Sequence, residues 1–89
     1  MQIQVTFTTQ VKAALGTDAE SVSLEEGATV WDAIQKLAVD HQDVFSKYVL
    51  AGESLLPSIL MSVNDRQVAM DERLSDGDQL TLLSAISGG

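Results

Sequence analysis

The chain has 89 residues, 45% of them apolar and 20% charged, which suits one folded domain and leaves no room for a second. Its 13 acidic and 5 basic side chains leave a formal charge of −8. That is the wrong sign for a nucleic-acid or anionic-membrane partner and the right one for a protein with a basic face. There is no cysteine, hence no disulfide frame, no thiolate metal site and no cysteine nucleophile. No apolar run approaches the ~18 residues of a membrane span, and the first residues lack a basic stretch of the signal-peptide kind, so a cytoplasmic protein is expected.

Gln2 to Thr9 alternates, with Ile3, Val5 and Phe7 on one side and Gln2, Gln4, Thr6 and Thr8 on the other, the pattern of a half-buried strand. Val11 to Leu15 reads as a short helical turn or an apolar loop closed by Gly16. Glu20 to Leu24 alternates again, with Val22 and Leu24 inward, and Glu25-Glu26-Gly27 ends it. Thr29 is the expected N-cap of the main helix, with Asp32 three residues on. Val30, Ala33, Ile34, Leu37 and Ala38 form its apolar stripe, Asp32 and Lys36 are spaced to pair, and the helix should end near Asp40 or His41. Val44, Phe45, Tyr48 and Val49 predict a second short helix, followed by a loop through Gly52 and Pro57.

Ile59, Met61 and Val63 mark a third strand. Asn64-Asp65 is a turn, Arg66 to Ala69 a short edge strand, Asp76-Gly77-Asp78 another turn, and Gln79 to Ser84 the last strand. The element order is α+β, and it matches a β-grasp (ubiquitin-like) arrangement. It implies a mixed four- to five-stranded sheet with one main helix on one face and the first and last strands side by side at its centre. Residues 1–89 form a single domain on this reading, with 84–89 a flexible reactive tail.

The interior offers no active site, and the chain is read as a non-enzyme. His41 is the sole histidine and reads as a capping or surface residue, and Glu25-Glu26 as a solvated pair. Asp76-Gly77-Asp78 lacks the further oxygen donors of a cation loop. No metal is expected. What remains is Gly88-Gly89, whose unhindered backbone suits a carboxylate that a second protein must reach, and an outer sheet face on which Leu60, Val68, Leu83 and Met70 are placed as a docking patch.

At Phe7-Thr8-Thr9-Gln10-Val11-Lys12 through Leu15-Gly16-Thr17-Asp18, Thr29-Val30, Val63-Asn64, Leu74 with Asp76-Gly77-Asp78, and Gly88-Gly89, the chain resembles the small subunit of molybdopterin synthase and its relatives. These are the ubiquitin-like sulfur carriers, among them the thiamine sulfur carrier. The resemblance implies that an E1-like adenylating enzyme, using its own ATP and Mg²⁺, converts the Gly89 carboxylate to an acyl-adenylate. A persulfide donor then leaves a Gly89 thiocarboxylate. A larger synthase subunit would receive that sulfur, with Gly88 giving access and Ile86 and Leu83 meeting partner walls. The chain itself binds no cofactor on this reading. The family often carries Phe-Phe-Pro-Pro-Val before its Gly-Gly, whereas Leu82 to Ser87 here contains no proline. Molybdenum-cofactor synthesis is the first assignment. Sulfur donation to tRNA, thiamine or cysteine synthesis stays open, as do a modifier joined through Gly89 to lysines and an inert interaction domain.

Overall fold

The computed structural model describes residues 1–84. In chain order it contains β1 (Gln2–Phe7), α1 (Thr9–Leu15), β2 (Ala19–Ser23), α2 (Val30–Asp40), α3 (Gln42–Tyr48), β3 (Leu50–Ala51), β4 (Ser54–Leu55), β5 (Ile59–Val63), β6 (Arg66–Val68) and β7 (Gln79–Ser84). Among the described residues five strands form one mixed sheet in the order β2-β1-β7-β5-β6, and β3 and β4 form a separate hairpin. The first and last strands lie parallel at its centre, from Gln4 opposite Gln79 to Phe7 opposite Leu82. This is the β-grasp fold that the element order implies.

The sheet buries one face. Ile3, Val5 and Phe7 of β1, Val22 of β2, Ile59, Met61 and Val63 of β5, and Leu80 and Leu82 of β7 are all buried. Against them α2 sets Val30, Ala33, Ile34 and Leu37, α3 adds Phe45, and Val11 of α1, Val49 and Leu74 complete the cluster. Each large aliphatic removed from water contributes roughly 1.5–3 kcal/mol, so this stripe outweighs any end effect in holding α2 in place.

The N-terminal end of α2 is nonetheless fully supplied with partners. Asp32 N–H donates to Thr29 Oγ1 at 3.3 Å and Thr29 N–H to Asp32 Oδ2 at 2.9 Å, a complete capping box. The next orphan donors, Val30 N–H and Trp31 N–H, reach Glu72 O and Met70 O of the loop after β6, each at 2.9 Å. His41 closes the helix through its N–H on Leu37 O. Because Asp32 is engaged in the box and Lys36 Nζ donates to Ser23 O of β2, the expected Asp32–Lys36 pair does not form.

Two segments resolve more sharply than their sequence implies. Thr9 to Leu15 is a true helix, ended by Gly16 in the left-handed conformation at φ 75°. Residues 42–58 contain α3 and then the β3–β4 hairpin, turned at Gly52 with φ 67°, where a plain loop is expected.

Candidate functional site

The site is built around β7, the strand from which residues 85–89 continue. Its backbone is bonded on both flanks, to β1 from Gln79 to Leu82 and to β5 from Leu80 to Ser84. Thr8 Oγ1 donates to Leu82 O at 2.7 Å, which draws the hydroxyl away from capping α1 and fastens the end of β7 to the β1–α1 junction. At the other end Asn64 N–H donates to Gln79 O and its side-chain Oδ1 accepts from Gln79 N–H at 3.0 Å. These bonds hold β7 along both edges and near both ends.

Leu60 and Leu83 stand opposite one another across β5 and β7, on the face away from the helices. Leu83 is 37% exposed and Leu60 is half-buried. Around them the outward positions are uncharged and, Ala19 apart, polar. The polar ones are Gln2, Gln4 and Thr6 on β1, Ser21 and Ser23 on β2, Ser62 on β5, Gln67 on β6, and Gln79 and Thr81 on β7. Several bond laterally: Ser21 Oγ to Gln4 Oε1 at 2.9 Å, Gln79 Nε2 to Thr6 Oγ1 at 3.2 Å, and Gln2 Nε2 to Ser23 Oγ. A chain of net charge −8 thus carries no charged side chain at these outward positions. A leucine pair in an uncharged polar surround can be covered by a partner without stripping water from an ion.

Val68 and Met70 do not join this face. The two-residue turn Asn64-Asp65, with φ of 51° and 69°, sets Val63 opposite Arg66 and therefore Met61 opposite Val68. Directly opposed residues share a face, so Val68 falls with buried Met61 on the helix side. It packs half-buried against the core, as does Met70. The outer patch reduces to Leu60 and Leu83. Gly88, Gly89 and Ile86, placed at the reactive and partner-binding positions from the sequence, lie outside the described residues.

The remaining candidates are structural. Asp76 Oδ1 accepts from Gln2 N–H at 2.7 Å, while Asp78 accepts from Ser75 N–H at 2.8 Å and Asn64 Nδ2 at 3.0 Å. Their carboxylates are spent on the turn that leads into β7. His41 Nε2 lies 2.8 Å from Glu20 Oε1 and ties the end of α2 to β2. Among the described residues no group of three or more histidine, cysteine, aspartate or glutamate side chains is placed to hold a metal, and no helix is long and apolar enough to cross a membrane. The pin from Thr8 to Leu82 and the uncharged surround are features that sequence alternation does not reveal, because both depend on register.

A mixed sheet with its first and last strands parallel at the centre and a helix across one face places the chain in the ubiquitin-like, β-grasp class. The sequence model described as the ThiS family matches residues 5–89, nearly the whole chain, and the chain belongs to that family. Among solved structures it is similar to SAMP1 from Haloferax volcanii, at 25% identity and a TM-score of 0.89, with 100% of both chains covered. It is also similar to the putative molybdopterin converting factor, subunit 1, from Pyrococcus furiosus, at 26% identity and a TM-score of 0.78, covering 97% of this chain and 99% of that one. A chain of the Amycolatopsis orientalis BexX/CysO complex shares 30% identity at a TM-score of 0.74, covering 98% of this chain and 99% of its own. No curated protein matches the sequence.

Proposed function

We propose that this protein is a sulfur carrier that works through the carboxylate of Gly89. The observation that carries the reading is that the family match runs through Gly89, on a chain whose preceding strand is bonded on both sides. A carboxylate is a poor acyl donor because it is anionic and resonance-stabilised. An E1-like enzyme with ATP and Mg²⁺ removes that obstacle, as the Gly89 oxygen attacks the α-phosphorus and pyrophosphate leaves. The terminal sulfur of a persulfide donor then attacks the acyl carbon and AMP leaves, giving an acyl disulfide. A second thiol attacks the donor's sulfur, forms a disulfide with it and releases the Gly89 thiocarboxylate. The carrier contributes no acid, base or metal to these steps. It contributes an unhindered terminus, a rigid root for it, and a docking face at Leu60 and Leu83. Gly88 and Ile86 would contact the walls of the partner's channel.

Molybdopterin synthesis with a larger synthase subunit is the first assignment, supported by the likeness to the Pyrococcus furiosus protein. The 30% identity to the chain from the BexX/CysO complex favours carriage to another acceptor equally well, in the company of a larger enzyme. A second reading, conjugation of Gly89 to lysines of other proteins, is favoured by the full-length likeness to SAMP1. Both begin with the same adenylation.

Intact mass of the protein, before and after incubation with an E1-like enzyme, ATP and a sulfur donor, tests the proposal. The expected outcome is a gain equal to the replacement of one oxygen by sulfur. Deletion of Gly89 or Gly88→Leu should abolish that gain with the fold intact. Lysine-linked heavier species without the gain would establish the modifier reading instead. An unchanged mass under every condition would leave an inert interaction domain.

A further inference from the structure

The far edge of the sheet is β2, and its backbone is only partly engaged. Phe7 N–H donates to Asp18 O and Leu24 N–H to Met1 O, each at 2.9 Å. With the antiparallel register this alternation turns Asp18, Glu20, Val22 and Leu24 towards β1. Ala19, Ser21 and Ser23 therefore aim their N–H and C=O groups off the sheet. Side chains occupy two of those carbonyls: Ala19 O accepts from Thr17 Oγ1 at 3.1 Å, and Ser23 O accepts from Lys36 Nζ. Exposed Ser21, between them, has neither its N–H nor its C=O bonded among the described residues. A strand edge with a free donor–acceptor pair is a template for one more strand.

Charge decides what that strand is. At the Lys36–Ser23 contact lies a hollow of about 410 Å³ whose charged lining is Glu25, Glu26, Asp32 and Lys36, three acids against one base. Near His41, which is tied to Glu20 of β2, a second hollow of about 360 Å³ is lined by Asp40, Asp43 and Val39. Val39 is 74% exposed, the most exposed large apolar side chain among the described residues. A second copy of this chain would bring the same carboxylates against its own, and an acidic strand would meet repulsion along its length. We propose that the β2 edge binds an extended, basic segment of a partner protein. The segment pairs with Ser21 as a sixth strand, sets lysine or arginine side chains towards Glu20, Glu25, Glu26 and Asp32, and rests an apolar side chain near Val39. The site is on the sheet's edge, and β1 separates it from β7, so its occupant leaves Leu60 and Leu83 uncovered.

The test is an NMR titration of the full-length ¹⁵N-labelled chain with an acetylated, amidated hexapeptide alternating lysine and valine. Expected are shifts confined to residues 19–27 and Val39, slowed hydrogen exchange at the Ser21 amide, and weaker binding as salt rises. Ser21→Pro deletes the open N–H at a position where it makes no ladder bond, and should weaken the Kd about tenfold. The same peptide with alternate amides N-methylated puts the question to the unaltered chain, and it should lose binding to a similar degree. Equal affinity for the methylated peptide would reduce the effect to charge alone and overturn strand addition. Shifts centred on Leu60 and Leu83, self-association through β2 without peptide, or no binding at all would each overturn it too. None of these readouts involves Gly89, so the outcome is independent of the sulfur-carrier proposal.

Discussion

Leu83 and Val68 are both aliphatic residues in strands of one sheet, yet they stand on opposite sides of it, and their replacement should be felt in different assays. Leu83→Asp puts a charge where the surround is polar and solvated, so stability should move by no more than about 0.5–1 kcal/mol. If the proposed docking holds, the same change should weaken association with an E1-like enzyme about tenfold, because it places an ion at the centre of the apolar pair. Val68→Ala should behave in reverse, costing about 1 kcal/mol through lost packing against the core while leaving association unchanged. Urea unfolding followed by the fluorescence of half-buried Trp31, together with binding titrations, separates the two. A Leu83→Asp variant that associated normally would remove that face from the docking surface. The sequence places Leu83 correctly and Val68 on the wrong side for a physical reason. A six-residue strand shows its alternation, but a three-residue strand such as β6 has its facing set by the turn before it.

At the scale of elements, the parts legible from the sequence are those whose signals are local. Thr29 and Asp32 cap the main helix, the stripe from Val30 to Leu37 faces the sheet, and β7 spans the residues expected of it. Thr29→Ala should cost about 1 kcal/mol, since one half of the capping box is lost while the loop carbonyls still hold Val30 and Trp31. A shift in the urea midpoint without a change of slope is the expected signature, and a loss well above about 2 kcal/mol would mean that the loop after β6 detaches with the cap. The parts illegible from the sequence depend on distant partners. Asp32 and Lys36 have ideal spacing for an ion pair, but a cap and a strand carbonyl claim them separately. The β3–β4 hairpin has two residues per strand, too few for any periodicity to show. The uncharged outer face appears only once five strands are laid in register.

For the molecule as a whole, charge is segregated. The chain carries a net −8, the described residues contain the Arg66–Glu72 ion pair and a Glu20–His41 contact, and the outer face carries none of the charge. Self-repulsion should therefore dominate surface electrostatics. Raising salt from about 10 to about 150 mM shortens the screening length from ~30 to ~8 Å and should raise the Tm by about 2–5 °C. A Tm that fell with salt would assign the dominant role to the ion pair. The same segregation lets a basic partner be drawn in over long range and then settle on a neutral face. The central pairing of β1 with β7 has a mechanical consequence of its own. Because these strands run parallel, a pull on the segment beyond Ser84 against the start of the chain loads their rungs in shear, all together, and not one after another as in a zipper. Were a partner to draw on that end as proposed, the sheet would meet the load along its most cooperative direction.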